Sequence, residues 1–121
     1  MVTLRHAMIF AKDMTRMTAF YRDALGLTVV PDKASAEWVE LDAGGARVAL
    51  HLIPEKYAKD IQITTPPKAR SENPIKIAFT VDDLATARER LVAHGAVMFD
   101  PHAFGCDGLD PEGNVFQIVG R

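Results

Sequence analysis

The sequence predicts an α+β fold built from two copies of one strand–helix–strand–strand–strand module. The first observation is an internal repeat, in which His6–Asp13 matches Lys76–Asp83 at an offset of 70 residues. The second is a repeated turn and strand, because Arg47–Ile53 matches Gly113–Val119 with His51 over Gln117 at an offset of 66. Both matches keep the same order along the chain, so we expect one domain spanning residues 1–121 and made of two related modules.

Module one, residues 1–53, opens with a strand and a helix. Val2–Ala11 has the length and residue types of a strand, and both of its faces are largely apolar, as in a strand covered on two sides. Asp13 is placed to cap the helix that follows. Apolar residues then recur at helical spacing until Gly26, where the helix ends.

Three short strands complete module one. The patterns place them at Leu27–Val30, which Pro31–Asp32 closes, then at Ala36–Leu41, and at Arg47–Ile53 after a Gly44–Gly45 hairpin turn.

Module two, residues 75–121, repeats this plan after a segment of different character. Residues 54–74 contain four prolines and many charges, which is typical of a linker or a mobile loop. Beyond it, the predicted elements are a strand at Ile75–Val81, a helix capped by Asp82 or Asp83 and ended by Gly95, and strands at Val97–Phe99, within Ala103–Leu109, and at Val115–Val119.

Composition and charge limit the function classes. The chain of 121 residues has a net charge of −2, which argues against nucleic acid as a partner. Its single cysteine, Cys106, fits a reducing cytoplasm. No apolar run approaches the roughly 20 residues that cross a bilayer. We therefore expect a cytoplasmic protein without nucleic-acid or membrane partners.

Polar residues on one face of the predicted strands are the candidate functional groups. Lys76, His51 and Gln117 each stand among small or apolar neighbours on one side of a strand, while the other side is apolar throughout. Polar groups in such positions are unfavourable unless they are hydrogen-bonded or solvated. A histidine in a strand is more often structural than a metal ligand, so both interpretations stay open for His6 and His51.

Three stretches resemble the vicinal-oxygen-chelate superfamily, which includes glyoxalase I, extradiol dioxygenases, methylmalonyl-CoA epimerases, and fosfomycin- and bleomycin-resistance proteins. The stretches are residues 5–27, which contain the motif FYRDALGL, residues 77–84, and the turn Asp110–Asn114. The resemblance implies that the two βαβββ modules form an incomplete barrel around a cleft. It also implies a homodimer.

The resemblance further implies where a metal would bind. The family's ligand positions fall on His6, His51, Lys76 and Gln117. Lys76 and Gln117 stand where the family has His and Glu, and a protonated ammonium cannot donate a lone pair. A divalent Zn, Ni, Mn or Fe ion would then be held by His6, His51 and Gln117.

Two main functions follow from these positions. In the first, the protein is a small-molecule-binding module that takes a polar or anionic ligand without metal, with Lys76 as a polar contact and Met8, Phe10 and Trp38 as apolar walls. In the second, it is a metal-dependent lyase, isomerase or epimerase of the glyoxalase type, and a dioxygenase is disfavoured because no carboxylate occupies the mapped positions. A third hypothesis is a degenerate module that serves only in protein assembly.

Overall fold

The computed structural model of the chain describes residue 2 and residues 4–70 and 75–121. The chain divides into two compact units, Met1–Gln62 and Ile63–Arg121, each with its own four-stranded sheet. The first unit contains predicted module one, and the second contains predicted module two. This is the predicted α+β architecture of two related modules. In the described part of the chain, no helix has the length and apolar character needed to cross a membrane.

The first unit has the predicted order of elements. Its sheet runs β1-β4-β3-β2, with β1 parallel to β4 and the other neighbours antiparallel. The elements are β1 (Ala7–Ala11), α1 (Met14–Ala19) with a π-helical turn (Phe20–Ala24), β2 (Thr28–Ala34), β3 (Trp38–Asp42), β4 (Arg47–Leu52) and α2 (Glu55–Ala58).

Capping and burial explain how α1 forms and where it packs. The Asp13 carboxylate accepts the backbone N–H of Arg16 at 3.0 Å, which satisfies a helix donor that has no partner within the helix. Met17 is fully buried, and α1 packs against β4, whose Val48 and Leu50 are buried as well. The helix therefore covers one face of the sheet, and the alternate strand residues lie on the opposite face.

The second unit repeats this construction with a sheet of order β5-β8-β7-β6, in which β5 is parallel to β8. Asp83 caps the helix by accepting the backbone N–H groups of Ala85 and Thr86, so the cap is Asp83 rather than Asp82. The elements are β5 (Ile77–Val81), α3 (Leu84–Ala93), β6 (Val97–Met98), β7 (Cys106–Leu109) and β8 (Val115–Gly120).

Several predicted strand boundaries are wrong. β1 begins at Ala7 rather than Val2, and β5 begins at Ile77 rather than Ile75. Pro31–Asp32 does not close β2, which continues to Ala34. The strand lies at the edge of its sheet and its register with β3 shifts between Val29 and Ala34. A proline lacks the N–H that a central strand needs, but an irregular edge strand tolerates it.

The predicted linker is partly ordered by contacts within each unit. Residues 55–58 form α2, Ala58 is buried, and the Lys12 ammonium donates to the carbonyl of Ile61. Lys68 and Arg70 lie against the Asp110–Asn114 turn of the second unit. Residues 71–74 of the predicted linker lie outside the described residues.

Candidate functional site

The first unit presents a polar and aromatic face on the side of its sheet opposite α1. Strand register places Phe10, His51 and Trp38 side by side on β1, β4 and β3. The next row holds Met8, Ala49 and Glu40. Since paired residues project to the same side of a sheet, these residues share one face. We call this surface the first-unit face; it comprises His6, Met8, Phe10, Trp38, Glu40, Arg47 and His51.

Trp38 is the centre of this face. Its ring makes edge contacts with His6, at 5.2 Å between centroids, and with His51, at 5.8 Å. Its indole N–H donates to Oε2 of Glu40 at 3.0 Å. These contacts favour a single orientation of the Trp38 side chain.

Two apolar side chains extend the face towards solvent. Phe10 contacts the ring of His51 at 5.4 Å and is 54% exposed, and Met8 is 45% exposed. Large apolar side chains on a sheet face that also carries fixed polar groups are typical of a ligand-binding surface.

The two histidines of the face differ in their hydrogen bonding. Nδ1 of His51 lies 2.8 Å from the carbonyl oxygen of Leu52 and donates to it, which leaves a lone pair on Nε2 when the ring is neutral. Nδ1 of His6 is buried and has no hydrogen-bond partner among the described residues. His51 is therefore the histidine whose tautomer the fold fixes.

Glu40 is a charged anchor for the same face. It accepts from Trp38 Nε1 and from Arg47 Nη1, each at 3.0 Å. The hydrogen bond from Trp38, followed by that from Arg47, lowers the pKa of Glu40 below its ordinary value despite partial burial. The carboxylate stays ionised at neutral pH and fixes the indole beside it.

The second unit carries a different polar group on the corresponding face of its own sheet. Asp107 on β7 lies directly opposite Gln117 on β8, and Ala78 on β5 completes the row. The Lys76 ammonium, one residue before β5, donates to Oδ2 of Asp107 at 2.8 Å. We call Lys76, His102, Asp107 and Gln117 the second-unit cluster.

Asp107 is the member of the cluster with most contacts. His102 Nε2 lies 3.3 Å from its other oxygen, Oδ1, without the alignment of a hydrogen bond. Nδ1 of His102 accepts the backbone N–H of Phe104 at 3.1 Å, so the proton of the neutral ring is on Nε2. Burial acts to raise the pKa of Asp107, but Lys76 and then His102 outweigh it, and the pKa lies below its ordinary value.

The structure brings the predicted residues together in two sets. His6, His51, Trp38, Phe10 and Met8 share the first-unit face, while Lys76 and Gln117 share the second-unit cluster. Within residues 4–70 and 75–121, no three His, Cys, Asp or Glu side chains are grouped so that they could hold a metal ion.

Four residues of these two surfaces were not predicted from the sequence, namely Glu40, Arg47, His102 and Asp107. Asp107 lies in the predicted stretch Ala103–Leu109, where Gly105 and Gly108 make the strand hard to recognise, and His102 directly precedes that stretch. Glu40 is an acidic residue in a strand, where such residues usually face solvent, yet it is bonded to Trp38. The signal for Asp107 was available, because a lone acidic residue alternating with Cys106 and Gly108 marks the polar face of a strand.

The chain matches known proteins over nearly its whole length. Residues 6–119 match the family model described as a glyoxalase-like domain. A glyoxalase/bleomycin resistance protein/dioxygenase family enzyme from Burkholderia phytofirmans superposes with a TM-score of 0.74 at 22% identity, and the match covers 96% of both chains. A comparison with curated proteins finds no match.

Two fosfomycin resistance proteins, both FosX, are similar in structure. The protein from Mesorhizobium loti has a TM-score of 0.72 at 19% identity, covering all of this chain and 93% of the other. An E126Q mutant from Listeria monocytogenes, complexed with Mn(II) and 1S,2S-dihydroxypropylphosphonic acid, has a TM-score of 0.74 at 15% identity, covering all of this chain and 92% of the other. At these identities the likeness establishes the fold alone.

Proposed function

Since the chain belongs to the family of glyoxalase-like domains, we propose that it binds a small molecule and that the first-unit face makes the main contacts. The observation that carries this proposal is Trp38, which is held by a hydrogen bond to Glu40 and by T-shaped contacts with the rings of two histidines. Because the Trp38 side chain is already ordered, less conformational entropy is lost when a ligand packs against it.

The residues around Trp38 indicate the chemistry of the ligand. Phe10 and Met8 offer exposed apolar surface for a planar or hydrocarbon part. His51 Nε2, free to accept because Nδ1 donates to Leu52, offers a hydrogen bond to a hydroxyl or amide group. The face therefore suits a small polar molecule with an unsaturated or aromatic portion.

The donor set favours binding without a resident metal. Of the four positions that the family uses for metal ligands, Lys76 has an ammonium paired with the Asp107 carboxylate. An ammonium in such a pair has no lone pair to give and repels a metal cation. The four positions thus supply two imidazoles, one amide and one cation, which is a poor fit to a divalent centre.

A metal-dependent isomerase, lyase or epimerase is the second candidate, and one observation favours it. The Nδ1 hydrogen bond of His51 to a backbone carbonyl is the arrangement that orients metal-ligating histidines in proteins. His6, His51 and Gln117 would be the ligands of Zn, Ni, Mn or Fe, and such an ion would supply Lewis acidity to adjacent oxygens of a substrate.

Metal analysis separates the two candidates. Protein purified without chelator is analysed for divalent metal as wild type and as His6→Ala and His51→Ala. Under the main proposal all three contain equal, negligible metal, before and after incubation with Zn, Ni, Mn or Fe salts. Stoichiometric metal in the wild type that is lost in both variants would establish the second candidate instead.

A thermal-shift screen tests ligand binding itself. A ligand that binds only the folded protein stabilises it in proportion to the logarithm of its concentration over its Kd. Aromatic carbonyl compounds, aromatic alcohols and aromatic acids are screened against the wild type and Trp38→Ala. We expect stabilisation of the wild type and its loss in the variant.

Tyr57→Ala is the matched control for that screen, because Tyr57 is an exposed aromatic residue outside the face. This variant should respond as the wild type does. Hits that survive in Trp38→Ala would contradict the assignment of the face, and a screen and a metal analysis that both give nothing would favour a module serving only assembly.

Assembly and location remain part of the proposal. The family resemblance favours a homodimer, and the single cysteine favours the cytoplasm. Sedimentation equilibrium of the purified chain tests the first, since a monomeric mass at micromolar concentration would overturn it.

A further inference from the structure

The second-unit cluster holds a carboxylate that no mapped family position accounts for. Asp107 lies on β7 between Cys106 and Gly108, which are both buried. A carboxylate in the middle of such a strand is unfavourable unless other groups compensate its charge. Lys76, before β5, supplies the compensating charge, and the ring of His102, in the loop before β7, lies 3.3 Å from the other carboxylate oxygen.

Fold stability does not explain this arrangement. The side chains of Lys76 and Asp107 are 40% and 24% exposed, and ion pairs at such exposure contribute little to the stability of a fold. The pair instead determines the charge of the surface beside Gln117. One of the three ammonium N–H bonds of Lys76 is directed at Oδ2 of Asp107, and the charges of the two groups offset each other.

We infer that Asp107 is a specificity-determining residue, which turns Lys76 from an anion-binding group into an oriented donor for neutral oxygens. The remaining N–H bonds of Lys76 and the amide of the neighbouring Gln117 suit a carbonyl or hydroxyl oxygen. A carboxylate ligand bound by Lys76 would lie close to the carboxylate of Asp107. The repulsion between the two negative charges would weaken its binding by several-fold or more. The ligand class is therefore neutral and oxygen-bearing.

This inference rests on the proposed small-molecule function, since it names the ligand chemistry that the second unit accepts. Its test does not require the natural ligand. Acetate and acetamide are probes of nearly equal shape that differ in charge, and nuclear magnetic resonance titration of the full chain can follow both through the backbone amides around Lys76 and the side-chain amide of Gln117.

The wild type should bind acetate no more tightly than acetamide. Asp107→Asn should prefer acetate by at least about tenfold, because one negative charge has gone while the ammonium remains, and tenfold corresponds to about 1.4 kcal/mol. The double variant Asp107→Asn with Lys76→Met should lose this preference.

Asp100→Asn is the matched control, because Asp100 is an exposed acid of the same unit and its replacement changes the net charge equally. Its preference should equal that of the wild type. The inference is overturned if Asp107→Asn gains nothing for acetate, if Asp100→Asn gains as much, or if the gain survives loss of Lys76. Should Asp107→Asn fail to fold, Asp107→Ser carries the same expectation.

A failure of the ligand screen with Trp38→Ala would leave these titrations unaffected, because they report on the second unit alone. The two proposals can therefore fail separately.

Discussion

The indole N–H of Trp38 donates to Oε2 of Glu40 at 3.0 Å, and this bond joins an aromatic side chain to a carboxylate two residues along the same strand. Residues two apart in a strand share a face, so the bond lies on the surface that we propose for ligand binding. Arg47 on the neighbouring strand donates to the other oxygen of Glu40. Trp38, Glu40 and Arg47 therefore form one hydrogen-bonded group on the first-unit face.

The first prediction concerns the pKa of Glu40. Trp38→Phe removes the largest cause of its lowered pKa, so the pKa should rise towards the ordinary glutamate value. Arg47→Gln should also raise it, because this change removes a hydrogen bond and the positive charge of the guanidinium. Carboxyl-detected magnetic resonance titration measures both. An unchanged pKa in Trp38→Phe would show that the arginine, not the indole, controls this carboxylate.

The second prediction is the acid dependence of stability. The pKa of Glu40 and that of Asp107 are lower in the folded chain than their ordinary values. Each group therefore stabilises the fold above its ordinary pKa, and this contribution is lost as the pH falls through the lower, folded value. The free energy of unfolding should decrease from pH 6 towards pH 3, and Glu40→Gln should make that decrease smaller.

Urea unfolding at a series of pH values measures this slope, and Glu89→Gln serves as control because Glu89 is exposed on α3. The control should keep the slope of the wild type. An unchanged slope in Glu40→Gln would mean that the carboxylate is equally favourable in the unfolded chain.

The fold was largely predictable because the repeated module is recognisable from local signals, namely helix caps and alternating strand residues. Asp13 and Asp83 precede their helices at equivalent positions, and each caps its helix through its carboxylate. Strand faces followed from alternation, which is why Leu50 and Ile118, on opposite copies, were both expected to face apolar surroundings and are both fully buried. Local sequence patterns determine both the helix caps and the strand faces, so both could be predicted from this sequence alone.

The site was less predictable because it depends on pairs that are distant in sequence. Lys76 and Asp107 are 31 residues apart, and their contact follows only once β5, β8 and β7 are in register. The extension of β2 beyond Pro31 likewise depends on its place at a sheet edge, which no local pattern shows. Contacts between residues that are distant in sequence therefore become visible only when the strand order and register are known.

The third prediction compares two glycines. Gly44 and Gly113 both have a positive φ, at 76° and 85°, where an L-residue loses about 1–2 kcal/mol. A Cβ on Gly44 would meet no atom within 4 Å, whereas one on Gly113 would overlap the carbonyl oxygen of Lys68. Gly44→Ala should destabilise by the backbone term alone, and Gly113→Ala by about 1–3 kcal/mol more. Equal losses in urea unfolding would mean that residues 68–70 move away from the turn freely.

The last prediction tests which face of the first sheet is covered. Leu50 on β4 is fully buried on the side of α1, while Met8 on β1 is 45% exposed on the opposite side. Leu50→Ala removes buried methyl groups and leaves a cavity, so it should lower the free energy of unfolding by about 2–5 kcal/mol. Met8→Ala should change it by no more than about 0.5 kcal/mol, as exposed substitutions usually do.

The same pair also separates stability from binding. Met8→Ala should keep the thermal stability of the free protein and weaken the response to any ligand that stabilises the wild type, because the side chain forms part of the proposed apolar wall. Leu50→Ala should lower the thermal stability of the free protein. The ligand should still raise the melting temperature of this variant, because Leu50 lies on the other side of the sheet. A large loss of stability in Met8→Ala would mean that this side chain belongs to the core, and the first-unit face would then lack its apolar wall on β1.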